Sequence, residues 1–261
     1  MPDGVNADAV RVTARRTSQS ANGALPLYFA PLLGFNEVDI TATAVAKLAN
    51  IDLMLVLDRS GSMDDDTVFQ NGVPVNGIQP MDALRVAAKS FIDDLKQGFD
   101  NVGIVSYSRS SSSPIDLRIT SDLQVAKAGI DNIPQPNSYT NIGDGMDESL
   151  KEFRSNRART STVKIMVLLS DGAPTCTESG SCNLSSWTRQ RGIDYALAKA
   201  AEAGAADIII HTISLGAGAD RTLMQQIAQA TGGEEFFSSS GSDLSQVFQD
   251  IKEIIPVRLT Q

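Results

Sequence analysis

Three oxygen-bearing side chains stand at alternate positions in Asp58-Arg59-Ser60-Gly61-Ser62, directly after the apolar run 51–57. One carboxylate and two hydroxyls spaced in this way can turn toward a single point, and an all-oxygen set of low charge suits a hard cation such as Mg²⁺. Read as an EF-hand loop beginning at Asp58, the segment fails twice, since the sixth position is Met63 instead of Gly and the twelfth is Phe69 instead of Glu. It also lacks the glycine spacing and the Lys-Ser/Thr ending of a phosphate-cradling loop. An aspartyl-phosphate hydrolase would want a second Asp two residues on, and Ser60 stands there. On these residues alone a plain capping role stays open, because Asp and Ser are both favoured at helix starts.

The rest of the chain offers little catalytic chemistry. Its one histidine, His211, lies in the apolar run 207–213 and reads as a structural residue at a strand end. Cys176 and Cys182 are the only cysteines, with five residues between them in a Ser-, Thr- and Gly-rich loop. An even pair in such a loop predicts a disulfide and an oxidising compartment; two free thiols are the alternative. Trp187, just beyond, is expected to pack. Asp64, Asp65 and Asp66 read as a solvated acidic loop, and Asp144 as a first-turn carboxylate facing the positive end of a helix.

The elements that must position these residues follow from hydrophobic period. From residue 51 onward, short aliphatic runs alternate with longer amphipathic stretches, the pattern of βαβ units and a mostly parallel sheet. Strands are expected at 51–57, 102–107, 115–119, 163–169, 207–215 and 234–237. Helices are expected at 79–96, 122–133, 142–153, 189–203 (closed by Gly204 at C′), 221–230 and 243–255. The fold class is therefore α/β, a doubly wound, mostly parallel central sheet flanked by helices. Residues 9–15 and 38–45 instead alternate apolar with polar residues, as strands with one wet face do. A Pro-containing stretch, 25–35, lies between them. Residues 1–49 are thus expected to form a small β-rich extension or stalk, and 50–261 the main domain.

The 261 residues carry 31 acids against 22 bases, a net charge of −9, which argues against nucleic acid and favours cations. No run reaches the roughly 18 to 20 apolar residues that span a bilayer. The start, Met1-Pro2-Asp3, lacks the basic and apolar regions of a signal peptide. Any membrane anchor would have to lie outside this sequence.

The Asp58-x-Ser60-x-Ser62 motif after a first buried strand resembles the metal-ion-dependent adhesion site of von Willebrand factor A (VWA) domains. That family adds a Thr from a loop before a central helix, matched by Thr140 in Tyr139-Thr140-Asn141-Ile142-Gly143-Asp144-Gly145. It also adds an Asp at the end of the fourth strand, matched by Asp171 in Leu168-Leu169-Ser170-Asp171-Gly172. The resemblance covers about 50–256 and implies a Rossmann-like fold holding Mg²⁺, or Mn²⁺ or Ca²⁺, with both serine oxygens bound directly. Thr140 would bind directly or through water, and the two Asp mostly through water. An open coordination position would take an Asp or Glu carboxylate from a partner protein, and family members shift the C-terminal helix when they do so. Residues 1–49, leading in through 38–44, look more like bacterial TadG-type proteins of tight-adherence (Flp) pilus systems. That likeness implies an extracytoplasmic, non-enzymatic adhesion or assembly module. The alternatives are a pilus or secretion scaffold whose metal only stabilises loops, and a Mg²⁺-assisted hydrolase or phosphotransferase, for which the motif segments supply no His, Lys or Cys as base.

Overall fold

The computed structural model describes residues 9–17, 19–21, 24–26, 37–47, 50–64, 67–70, 73–76, 79–255 and 259–260. The chain divides into two units, Met1–Ala49 with Ile255–Gln261, and Asn50–Ile254. In the first, strands β1 (Ala9–Arg16), β2 (Leu25–Pro26), β3 (Glu37–Val38) and β4 (Ile40–Lys47) follow in order. β1 and β4 pair antiparallel without a break, from Ala9 opposite Lys47 to Arg16 opposite Ile40. β2 and β3 form a second, two-stranded antiparallel pair. Most of the Pro-containing stretch between them, residues 27–36, lies outside the described residues, as do Asp65 and Asp66.

The second unit opens with β5 (Ile51–Asp58), a short 3-10 turn (Gly61–Asp64) and a hairpin of β6 (Thr67–Gln70) and β7 (Val73–Asn76). It continues with α1 (Pro80–Asp93), β8 (Asn101–Tyr107), β9 (Leu117–Thr120), α2 (Leu123–Asp131), α3 (Ile142–Phe153), β10 (Val163–Ser170) and α4 (Ser186–Ala205). β11 (Ile208–Leu215), α5 (Arg221–Ala230), β12 (Glu235–Ser238) and α6 (Leu244–Ile254) complete it. The expected α/β architecture is therefore present. The hairpin is an element the period missed, although Asn71-Gly72 between its strands is a strong two-residue turn signal. Beyond α6, the last strand β13 (Leu259–Thr260) pairs with β4, so residues 255–261, expected with the main domain, group with the first unit through their backbone pairing.

The six-stranded sheet runs β12-β11-β10-β5-β8-β9, parallel except for the antiparallel edge strand β9. The chain winds one way from β5 and the other way from β10, so the junction of β5 and β10 is the switch point where open α/β sheets bind ligands. All eight residues of β5 are buried, as a central strand covered on both faces requires. Met54 and Val56 meet Ile142, Met146 and Leu150 of α3 on one face. Leu53, Leu55 and Leu57, which alternate with them, are fully buried on the other, where α1 packs with α2 and α6 and Phe91 lies 5.2 Å from Phe248. Each such leucine contributes about 1.5–3 kcal/mol by burial.

Helix α4 runs past the expected stop at Gly204 to Ala205. Gly204 serves packing instead, because a Cβ there would lie 2.8 Å from the Ala230 carbonyl oxygen at the end of α5. The chain turns at Asp207, which takes the left-handed φ of 54°.

His211 is buried on β11, as expected of a structural residue. Its Nδ1 accepts the Glu234 N–H at 3.2 Å, and its Nε2 is buried without a partner. Burial lowers its pKa to about 4. An unfolded chain would take up the proton near pH 6.5, so stability is complete above that pH and is lost as pH falls from 6.5 toward 4. The loss amounts to at most about 3 kcal/mol. In His211→Asn, which keeps an acceptor for Glu234, thermal melts should lose less stability across that window than the parent; equal slopes would refute the assignment.

Candidate metal centre

Asp58 ends β5, and Asp171 follows β10, its neighbour in the sheet. The register that sets Leu57 opposite Leu169 brings these two strand ends side by side. Asp58 Oδ1 accepts the Ser60 N–H at 2.7 Å, and Oδ2 accepts the Ser170 hydroxyl at 2.7 Å. Both oxygens of this fully buried carboxylate are thus engaged from behind. In front of it, Ser62 Oγ donates to Asp171 Oδ1 at 2.8 Å, Ser60 Oγ lies 3.4 Å from the same oxygen, and the two serine oxygens are 3.2 Å apart. Three oxygens from two segments therefore meet within hydrogen-bond range.

Thr140 reaches the same end of the sheet from the loop before α3. Its N–H donates to Thr175 Oγ1 at 2.8 Å, and its carbonyl accepts the Thr175 N–H at 2.9 Å. A Cβ on Gly172 would lie 3.7 Å from Thr140 Oγ1, which puts that hydroxyl beside the residue following Asp171. Two straps fix the loop, Asn137 N–H to the Arg59 carbonyl at 2.9 Å and Gly61 N–H to the Ser138 carbonyl at 3.1 Å. Gly145 lets α3 come close, because a Cβ there would meet the Tyr107 ring at 2.6 Å. Tyr107 is itself buried, with its hydroxyl donating to the Leu169 carbonyl at 2.8 Å.

All five sequence-selected residues thus lie at the carboxyl end of the sheet. Sequence reasoning missed Ser170, which anchors Asp58, and Thr175, which anchors Thr140; a polar residue ending an apolar strand was the available signal for Ser170. Asp64 is exposed, as expected. Asp144 does more than face its helix: its Oδ2 accepts the Ser111 N–H at 2.6 Å and hydroxyl at 3.0 Å, tying the 109–113 turn to α3. Cys176 and Cys182 form the expected disulfide. Trp187 does not pack as expected; it is 65% exposed on the first turn of α4.

Electrostatically the centre is under strain. Burial first, and the charge of Asp171 second, raise the pKa of Asp58; burial likewise raises that of Asp171. Among the described residues neither carboxylate has an ion-pair partner, and no group of three or more His, Cys, Asp or Glu converges anywhere, this site included, so any ion here would depend on hydroxyl oxygens as well as on the two carboxylates. Two uncompensated carboxylates with hydroxyls around them fit a hard divalent cation: Asp58, Ser60, Ser62, Thr140 and Asp171 would hold it. Such an ion, when bound, supplies the positive charge and Lewis acidity to attract a further carboxylate.

A sheet of order 3-2-1-4-5-6 with a D-x-S-x-S loop at its switch point is the frame of a VWA domain. The chain belongs to the von Willebrand factor type A domain family, which it matches over residues 52–252. Residues 1–46 match the Tad-like Flp pilus-assembly family. Human integrin alpha-E is 29% identical over 132 residues, which are 48% of this chain and 10% of that protein. The PilB minor pilin from Streptococcus sanguinis has a TM-score of 0.65 at 22% identity, covering 85% of this chain and 65% of that one. The vWF domain of the type V pili tip protein Mfa5 from Porphyromonas gingivalis has a TM-score of 0.60 at 14% identity, over 83% of this chain and 98% of that one. The chain therefore spans a tenth of integrin alpha-E, and at these identities the two pilus proteins share its fold. Among the described residues no helix is long and apolar enough to cross a membrane.

Replacing Asp171 with Asn removes one of two like charges while keeping an oxygen for the serine hydroxyls. Metal-free Asp171→Asn should therefore melt about 2–4 °C higher than the parent, for about 1 kcal/mol gained, and should lose any rise in midpoint on adding Mg²⁺. A lower metal-free midpoint in differential scanning calorimetry would count against charge strain at this pair.

Proposed function

We propose that this chain is a non-enzymatic, divalent-cation-dependent protein-binding module of a bacterial pilus or surface-appendage system, working outside the cytoplasm. Mg²⁺, or Mn²⁺ or Ca²⁺, is held by Asp58, Ser60, Ser62, Thr140 and Asp171, and an Asp or Glu carboxylate of a partner protein completes its shell. Residues 1–49 act as the extension that presents the VWA domain. The observation that carries this reading is the fully buried Asp58 carboxylate and the half-buried Asp171 carboxylate facing two serine hydroxyls, with neither in an ion pair among the described residues. The pilus-assembly match of residues 1–46 and the pilus proteins among the structural neighbours support the location. The disulfide supports an oxidising compartment. Few direct carboxylates leave the ion electrophilic, which favours capture of an anionic ligand over tight sequestration in a cage.

Isothermal calorimetry with Mg²⁺ tests the assignment directly. The parent should give saturable heat, and Asp58→Ala and Ser62→Ala, compared at matched stability, should bind at least about tenfold more weakly. Equal heats in all three proteins would sink it.

A further inference from the structure

Most lysines and arginines of the second unit are held in ion pairs, Arg159 with Asp52 and Lys199 with Asp147 among them. Arg109, Arg189 and Arg191 differ: all three are exposed, and among the described residues none pairs with a carboxylate. They also share one end of the fold. Arg109 follows β8, and its carbonyl accepts Asn141 Nδ2 at 3.2 Å beside Thr140. Arg189 and Arg191 lie in the first turns of α4, which starts at the carboxyl end of the sheet because it follows the loop after β10.

Aromatic and aliphatic side chains accompany these arginines. The Arg109 guanidinium lies 5.6 Å from the Tyr139 ring centroid, and that of Arg191 lies 6.0 Å from the Trp187 ring. Trp187 is 65% exposed and Leu184 81%. The Asn183 N–H donates to the Thr175 carbonyl, and the Thr175 N–H to the Thr140 carbonyl, so Leu184 sits two backbone hydrogen bonds and one residue from Thr140. At strand-like spacings that places its Cα within about 14 Å of the Thr140 Cα. Trp, Tyr and Arg are the residue types that dominate binding hot spots. A groove of about 320 Å³ opens beside Trp187, and its charged lining is mixed, with Arg191 and Lys199 alongside Glu178, Asp194 and Glu202.

We infer that this rim is a docking surface for an acidic segment of a partner protein that also carries an aromatic or aliphatic side chain. The segment's carboxylates meet Arg109, Arg189 and Arg191, and its apolar side chain lies against Trp187 and Leu184. The inference rests on the reading that a partner binds at this end of the sheet, and it adds what else that partner must present. Charge complementarity selects the occupant: on a chain of net charge −9, unpaired arginines beside an exposed indole attract acid where the rest of the surface repels it.

The test uses the full chain in Mg²⁺ over two immobilised probes, a random copolymer of glutamate and tyrosine and polyglutamate, read by biolayer interferometry. The copolymer should bind more tightly than polyglutamate. The double variant Arg189→Gln, Arg191→Gln should weaken both by about tenfold or more, and Trp187→Ala should abolish the preference for the copolymer. Lys164→Gln, an unpaired cation at the opposite end of the sheet, should change neither. No binding of the copolymer, or binding and preference untouched by the rim variants, would overturn the inference, as would tighter capture of heparin independent of Trp187. Rim-dependent binding that survives EDTA keeps the docking surface and removes the cation reading; EDTA-sensitive binding indifferent to the rim does the reverse.

Discussion

A fully buried carboxylate, Asp58, beside a half-buried one, Asp171, with no ion-pair partner for either among the described residues, is the feature around which this end of the molecule is organised. The same strand shows what the alternative looks like. Asp52, at the other end of β5, is equally buried, and Arg159 meets it through its N–H at 2.6 Å and its Nε at 2.8 Å while also donating to the carbonyls of Phe99 and Ile51. That acid is neutralised and closed off, a structural ion pair with no capacity left. Asp58 and Asp171 have only hydroxyl and amide donors, and leaving buried charge uncompensated costs several kcal/mol. One end of the central strand is thus compensated and the other is not, and it is at the second end that the proposed cation would supply the missing charge.

The remaining architecture serves to bring three separate segments to that point. Sheet order and register place the ends of β5 and β10 together, which sets Asp58 against Ser170 and Asp171 against the serine loop. Thr140 belongs to neither strand and depends on straps. The Arg59–Gly61 segment holds residues 137–138, Thr175 holds Thr140 by two hydrogen bonds, and the Cys176–Cys182 disulfide closes the turn that directly follows Thr175. Site geometry assembled from loops is only as accurate as such second contacts. Gly145 belongs to the same set, since any side chain there would push α3, and Thr140 with it, away from Tyr107.

The alternation of aliphatic runs with amphipathic stretches made the six-stranded sheet and its helices legible in the sequence, because burial on both faces leaves a period that neither face can hide. The D-x-S-x-S loop was legible as three alternate oxygens after a buried strand, although on those residues alone a helix-capping role stays open. Thr140 and Asp171 were not derivable from spacing, since their approach to Ser60 and Ser62 is made by the fold across more than 75 intervening residues, and only family resemblance selected them. Ser170 and Thr175 were hidden for the same reason: a serine ending a strand and a threonine in a loop are ordinary until the register shows what they touch. Trp187 was misread because a lone tryptophan is usually buried, and one sequence carries no sign of whether anything covers it. Gly204 was misread as a stop, although what it provides is room for the Ala230 carbonyl.

Charge ties the two ends of this reasoning together. The chain's net −9 favours cations, yet its acids are spread over many positions, some of them in ion pairs such as Asp93 with Lys127 and Asp131 with Lys89, so bulk acidity is not what marks a metal site. Only two of the five candidate ligands carry charge, and among the described residues neither stands in an ion pair. The unpaired arginines of the second unit show the mirror image of this pattern at the same end of the sheet. At physiological salt, charges farther apart than about 8 Å are largely screened, so an approaching acidic surface responds to the local sign and not to the total. Under the proposed reading, a cation's charge and the guanidinium groups around it would locally reverse the sign of the field at this end of a negative protein, and a partner's carboxylate would be received there.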